Sequence, residues 1–180
     1  IDPTLLSELL GRAELRELLD PDVIARTEEE LQRLSPDRRA RDPEGVVDLL
    51  RMLGPLNRDE IAARVDADQL GAPLDAVLSS LIQAVRVLPV TIAGRERFAA
   101  VEDASRLRDA LGVALPIGVT AANREPVADP VGALISRFAR PHGPFEVAAP
   151  AERFGLGPAV VMETLRRLAA DRRVVEGEFR

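Results

Sequence analysis

The stretch from Ala72 to Ala100 constrains the fold most. Its first half places Leu74, Val77, Leu78, Leu81, Ile82 and Val85 at i, i+3, i+4, i+7, i+8 and i+11, the spacing of one apolar helix face. Its second half, Val87-Leu88-Pro89-Val90-Thr91-Ile92 and Arg95-Glu96-Arg97-Phe98-Ala99-Ala100, reads as two strands around a two-residue Ala93-Gly94 loop. A buried helix running into a β-hairpin is the third helix and wing of a winged helix-turn-helix. The spacing fixes an architecture and declares no chemistry.

The rest of the chain arranges itself around that unit. Residues 1–42 read as two helices. Leu5, Leu6, Leu9, Leu10, Leu15, Leu18 and Leu19 form the first apolar stripe, interrupted by Gly11. Asp20-Pro21 stops one helix and starts the next, which carries Ile24, Leu31 and Leu34 and a solvated Glu28-Glu29-Glu30 face. A charged link, Asp37 to Asp42, follows. Residues 43–112 form the first winged-helix unit. Val46, Val47, Leu50 and Leu53 line a helix closed by Gly54-Pro55, and Asn57 caps a short helix with Ile61, Ala62 and Val65. After the hairpin, Asp103 caps a helix with Leu107 and Leu111 facing in, ended by Gly112. Residues 113–128 read as an extended linker lying on a surface.

Residues 129–180 repeat the unit. Val131, Leu134, Ile135, Phe138 and Ala139 make a first helix. Gly143-Pro144-Phe145 answers Gly54-Pro55-Leu56, and Ala151-Glu152-Arg153-Phe154 answers Ala62-Ala63-Arg64-Val65. Val161, Leu165, Leu168 and Ala169 answer Leu74, Leu78, Leu81 and Ile82. Val174-Val175 begins a wing strand, and the sequence ends too soon for a full return strand. The fold class expected is mainly α with small β-hairpins (α+β): tandem winged helix-turn-helix units behind a two-helix segment.

Chemistry was sought and found sparse. The chain has no cysteine, which excludes disulfides and thiolate metal sites. It has no lysine, so all 24 basic residues are arginine and a phosphate-binding P-loop cannot be built. The arginine excess reads as codon bias of a GC-rich genome before anion recognition. Asp59-Glu60-Ile61-Ala62 resembles a DExx box only superficially, because Asn57-Arg58 precede it where a buried strand is required. His142 is the only histidine, and its place before Gly143 suits a turn or helix end. A metal site would therefore need carboxylates alone, which zinc seldom uses. A net charge of −6 makes a poor general polyanion binder, so nucleic-acid contact must come from local patches. No apolar run approaches the ~20 residues of a membrane span. The start, Ile1-Asp2-Pro3, has neither an initiator methionine nor a signal-peptide layout, and a piece of a longer protein is expected.

The remaining signal is arginine placement. The first central helix presents Asp75, Ser79, Gln83 and Arg86 outward, a weak reader of a major groove. The second presents Glu163, Arg166, Arg167 and Ala170, followed by Arg172 and Arg173, and the first wing carries Arg95 and Arg97. Three readings stand open for these six arginines: a solvated face with local ion pairs, contact with phosphate, or a protein interface. Four well-placed arginines would give a salt slope of roughly −3 to −4. No aromatic residue is placed to stack a base, since Phe98, Phe138, Phe145 and Phe154 read as core.

Several ordered stretches carry a resemblance. Arg41-Asp42-Pro43-Glu44-Gly45 leads into Leu49 to Leu56. Ala99 to Ala104 and Arg106 to Val113 follow, then His142-Gly143-Pro144-Phe145, Arg153 to Gly157 and Arg173 to Phe179. Together they resemble the C-terminal region of bacterial large helicase-related (Lhr) proteins in their actinobacterial form. The resemblance implies an ATP-dependent superfamily 2 DNA helicase linked to repair, in the cytoplasm with the nucleoid, whose ATP and Mg sites lie in preceding motor domains. It implies DNA or an RNA–DNA hybrid as partner through the parent protein, and self-assembly as a further capacity. It also implies similarity to winged-helix glycosylases, but their Gln-x-Gln or Gln-x-Asp motif is missing: Gln83 precedes Ala84-Val85, and Gln69 precedes Leu70-Gly71. The function expected is a non-catalytic module for nucleic-acid guidance or self-assembly, with a base-excision region or a pure interaction module as alternatives.

Overall fold

The computed structural model describes residues 20–171 and Val174. The leucine-rich helix expected before Asp20 and the wing expected after α8 lie outside these residues. The element order is α1 (Pro21–Leu31), α2 (Pro43–Leu53), α3 (Arg58–Ala62), α4 (Leu74–Gln83), β1 (Val87–Ile92), β2 (Arg95–Ala100), α5 (Ala104–Leu111), α6 (Pro130–Ala139), α7 (Ala148–Phe154) and α8 (Pro158–Ala170). The fold is mainly helical with one small antiparallel sheet, in keeping with the α+β winged-helix class.

Local chemistry sets most boundaries. Asp20 and Asp42 cap α1 and α2, their carboxylates accepting from the Asp22 and Gly45 amides at 2.7 Å. Asn57 and Glu60 form a reciprocal capping box at α3, which is what the DExx-like tetrapeptide turns out to be. Leu31 departs from its expected buried stripe and is 46% exposed. Asp103 does not cap α5; its carboxylate is drawn to two arginines instead.

The central helix ends two residues earlier than its apolar spacing suggests. Val85 sits at φ 54° beyond α4. Its amide donates to Ile82 O at 3.0 Å, and the Arg86 amide donates to Leu81 O at 2.9 Å. This pair of bonds reverses the chain in the manner glycine usually permits. The strained Val85 thereby leaves the α4 stripe and packs against the opposite core.

The hairpin follows the expected register, Val87 opposite Ala100 and Ile92 opposite Arg95. Ala93 and Gly94 both take positive φ, 52° and 75°, as a type I′ turn requires. Leu56 adds one antiparallel bridge to Phe98, with bonds of 2.8 and 3.1 Å. One face of the hairpin is covered along most of its length, and the other is covered at its base and open at Pro89, Thr91 and Glu96. Val87, Phe98 and Ala100 belong to a core with α2, α3 and α4. Leu88, Val90, Ile92 and Ala99 belong to a second core with α5, α6, α7 and α8. The hairpin is thus the shared wall between two helical layers. Among α4 residues Val77, Leu78 and Leu81 are buried; in α8 Val161 and Leu168 are buried.

Leu78 is 3% exposed in the first core. Its replacement by alanine is expected to cost about 2–5 kcal/mol in a denaturant titration. Unchanged stability would contradict its burial.

Candidate nucleic-acid interface

The outer face of α4 offers little to a polyanion. Asp75, Ser79 and Gln83 are exposed, and Arg58 Nε donates to Asp75 Oδ1 at 2.6 Å. Arg86, the basic residue at the helix end, is clasped by Glu44 through bonds of 2.6 and 3.0 Å. A groove-reading helix needs donors aimed outward from its first turns. Here those positions are acidic or neutral.

The outer face of α8 differs. Its first turns expose Val160 and Met162, 46% and 37% accessible, beside Glu163. Arg166 is exposed with no carboxylate partner among the described residues. Arg167 is exposed too, but Nη2 donates to Asp129 Oδ1 at 2.9 Å. That pair is half open to water, so it contributes ~1 kcal/mol or less and can be exchanged for a phosphate. Arg172 and Arg173 lie outside the described residues.

The wing arginines follow from strand geometry. Side chains alternate across a strand, so Arg95 and Arg97 share a face with Ala99 and, across the ladder, with Ile92, Val90 and Leu88. That is the face turned to the second core. Arg97, expected on an outer wing surface, is instead 6% exposed and donates to the Arg153 carbonyl. Burial pushes its guanidinium below the ordinary arginine value, and the neighbouring Arg153 charge adds to this. Arg95, nearer the turn, remains exposed.

The arginines that matter most to the structure are ones the sequence reading passed over. Arg153 of α7 reaches across to the first unit. Nη1 donates to Glu60 Oε2 at 2.9 Å, and Nη2 donates to Glu60 Oε1 and the Pro55 carbonyl, each at 3.0 Å. Arg137 of α6 donates through Nη1 to both Asp103 oxygens at 2.7 Å, with both side chains almost fully buried. Gly54 lets this guanidinium in, since a Cβ there would stand 3.1 Å from Arg137 Nη2. Arg64 donates to the Gln32 carbonyl at 2.8 Å and to Gln32 Oε1 at 3.0 Å, and Gln32 Nε2 donates to the Pro141 carbonyl at 3.1 Å. One signal was available: Arg137 falls three residues after Leu134 and one before Phe138, inside an apolar arc. A charge there calls for a buried partner.

The histidine is structural. His142 stacks on Phe138 with ring centroids 3.9 Å apart and donates from Nδ1 to the Phe138 carbonyl. Burial holds it below its ordinary value, so it is neutral near pH 7. Among the described residues no group of three or more His, Asp or Glu side chains could hold a metal ion. Gln69 is exposed and bonded to Asp66, and Gln83 is exposed.

The carboxylates follow the same pattern. Burial works against the charge of Glu60, but the Arg153 and Asn57 hydrogen bonds and the charges of Arg153 and Arg64 outweigh it, holding the carboxyl below its ordinary value of 4.5. A carboxyl lowered by folding stabilises fully above its unfolded pKa and loses that stabilisation as pH falls through its folded value. Wild-type stability should therefore fall as pH drops below about 5, and Glu60→Gln, less stable at neutral pH, should show a shallower fall. Parallel melting-temperature profiles for the two proteins would contradict the Glu60–Arg153 assignment.

With this geometry in place, comparison with known proteins is direct. Residues 17–126 match the family described as large helicase-related protein, winged-helix domain. The chain is 55% identical over 179 residues to a Mycolicibacterium smegmatis protein named Lhr helicase/probable uracil glycosylase, covering 99% of this chain and 12% of that protein. It is 42% identical over 168 residues to the Escherichia coli K12 protein named Lhr helicase/uracil glycosylase, covering 93% of this chain and 11% of that one. It therefore spans about one-eighth of the length of these relatives. No helix among the described residues is long and apolar enough to cross a membrane. A winged-helix core built around a shared hairpin, with a family match over most of the chain, makes this chain a member of the large helicase-related family.

Proposed function

We propose that the chain is a non-catalytic winged-helix module of a larger ATP-dependent DNA repair helicase, in which it guides a nucleic-acid strand and supports assembly. The observation that carries this reading is the division of the arginines. Those between the two cores are locked into carboxylates and carbonyls, which fits a rigid body. Arg95 and Arg166 stand exposed on the outside, which fits phosphate contact. The exposed Val160 and Met162 give assembly a surface to use.

ATP does not fit the residues present. No lysine is available for the phosphates, and Asp59-Glu60 begins a capped helix whose glutamate is held by Asn57 and Arg153. ATP and magnesium are assigned to motor domains of the parent. The uracil glycosylase in the relatives' names is likewise assigned elsewhere in the parent, because Gln69 and Gln83 sit singly on open surface.

The test uses the full-length protein with Arg95→Ala and Arg166→Ala combined, titrated with a single-stranded oligonucleotide across salt. Removing two phosphate contacts should flatten the salt slope by about 1.4 and weaken binding at physiological salt. An unchanged slope and affinity would overturn strand guidance by these residues.

A further inference from the structure

Among the described residues, one set of five arginines lies away from both helix-turn-helix faces, and four of the five make no hydrogen bond to a carboxylate. Where α1 turns into α2, Arg33, Arg38, Arg39, Arg41 and Arg51 line an open cleft of about 480 Å³, with Asp37 and Asp48 as the acidic groups on its wall. With Glu30 and Glu102 counted, five cations meet four carboxylates there, and Arg51 takes up two of them, which leaves Arg33, Arg38, Arg39 and Arg41 without a carboxylate hydrogen bond. Asp48 is already engaged by Arg51 at 3.0 Å, and Arg51 also holds Glu102 at 2.7 Å. Arg38 stands 3.7 Å from Asp37 and 4.0 Å from Glu30, too far for hydrogen bonds. Arg39 donates only Nε, to the Leu34 carbonyl at 3.1 Å. Among the described residues Arg33 meets only the Met52 sulfur, at 3.3 Å, a weak acceptor. Arg41 is exposed with no ion pair among the described residues.

The backbone fixes these groups in advance. Ala40 is 7% exposed and bridges the first unit: its amide donates to Arg64 O, and the Asp66 amide donates to Ala40 O, both at 2.8 Å. Side chains alternate along such a segment, so with Ala40 turned inward Arg39 and Arg41 both face out. They stand about 6.5–7 Å apart along the chain, comparable with neighbouring phosphates of an extended strand. Arg33 holds φ 61°, a conformation rare outside glycine, and is kept there by bonds from its own amide to Glu30 O and from the Leu34 amide to Glu29 O. The floor is apolar: Leu49 is buried and Met52 is 40% exposed.

We propose that this cleft binds the sugar–phosphate backbone of a single nucleic-acid strand. The inference rests on the strand-guiding reading above and moves its principal contact from the helix-turn-helix faces to the α1–α2 junction. Guanidinium forks match phosphate oxygens in pairs, and the thioether and aliphatic floor accepts the face of a sugar or base. An open cleft lined by several cations suits a chain passing through it.

The experiment compares three full-length proteins binding an oligothymidine across salt: wild type, Arg38→Ala with Arg41→Ala, and Arg95→Ala with Arg166→Ala. The Arg38/Arg41 variant should bind several-fold more weakly at physiological salt, with a slope flattened by about 1.4. The charge-keeping Arg38→Lys/Arg41→Lys variant should retain the slope, which separates lost contact from lost fold. A 4-thiothymidine strand should crosslink to peptides spanning residues 33–52. If only the Arg95/Arg166 variant weakens, strand guidance stands and the cleft assignment falls. If neither does, both fall. Displacement of the strand by millimolar inorganic phosphate alone would reassign the cleft to a small anion, and tighter binding of polyglutamate than of the oligonucleotide would reassign it to an acidic protein; either result overturns the proposal.

Discussion

A two-stranded hairpin whose base is buried on both faces is the constraint on which the molecule depends. An isolated hairpin is marginal in water, and one covered on a single face alternates apolar and polar side chains. Here Val87 and Leu88 are buried in succession, facing different cores. The first helix-turn-helix covers one side, and α5 to α8 cover the other. The wing is therefore interior at its base and backed by the second core beyond it. It cannot lie in a groove as a free wing would, and its arginines inherit the geometry of the wall they belong to.

Polar seams then hold the two layers in register. Arg153–Glu60 joins α7 to α3 across the layers, Arg97 adds a bond from the hairpin to the α7 backbone, and Arg137–Asp103 pins α6 to the start of α5 with the guanidinium set against Gly54 of the first unit. Charges buried as deeply as Arg137 and Asp103 give back much of their attraction in lost hydration, while removing one partner leaves a stranded charge at about 3–5 kcal/mol. Their effect is geometric: each fixes where one helix sits against its neighbour. Close approach completes the fit, since a Cβ on Gly155, at φ 65°, would stand 3.2 Å from the Ala93 methyl at the hairpin tip.

Much of the fold could be read from residue order, because periodicity and breakers are local signals. The stripe of α4, the Ala93-Gly94 turn, the Asn57 cap and the glycine after Leu111 all appear where spacing puts them. What could not be read was tertiary. Val85 continued the helical period yet turns away, because its backbone reverses the chain. Asp103 looked like a cap and became the buried partner of Arg137. Arg97 looked like a phosphate ligand, and only the knowledge that a second core lies behind the hairpin explains its burial. The charged link at residues 37–42 gave no sign of its cleft, since the arginines that line it come from segments up to 18 positions apart. Of the six arginines expected at an interface, Arg95 and Arg166 stand open, Arg167 is paired at the surface, Arg97 is interior, and Arg172 and Arg173 lie outside the described residues.

The central claim is that one hairpin supports both cores. Hydrogen exchange on the full-length protein, comparing wild type with Phe98→Ala, tests it most directly. Phe98 faces the α2–α4 core. The account predicts lost amide protection in α4 and, to a similar degree, in α6 and α8 of the other core. Loss confined to α2–α4, with α6 and α8 as protected as before, would contradict it.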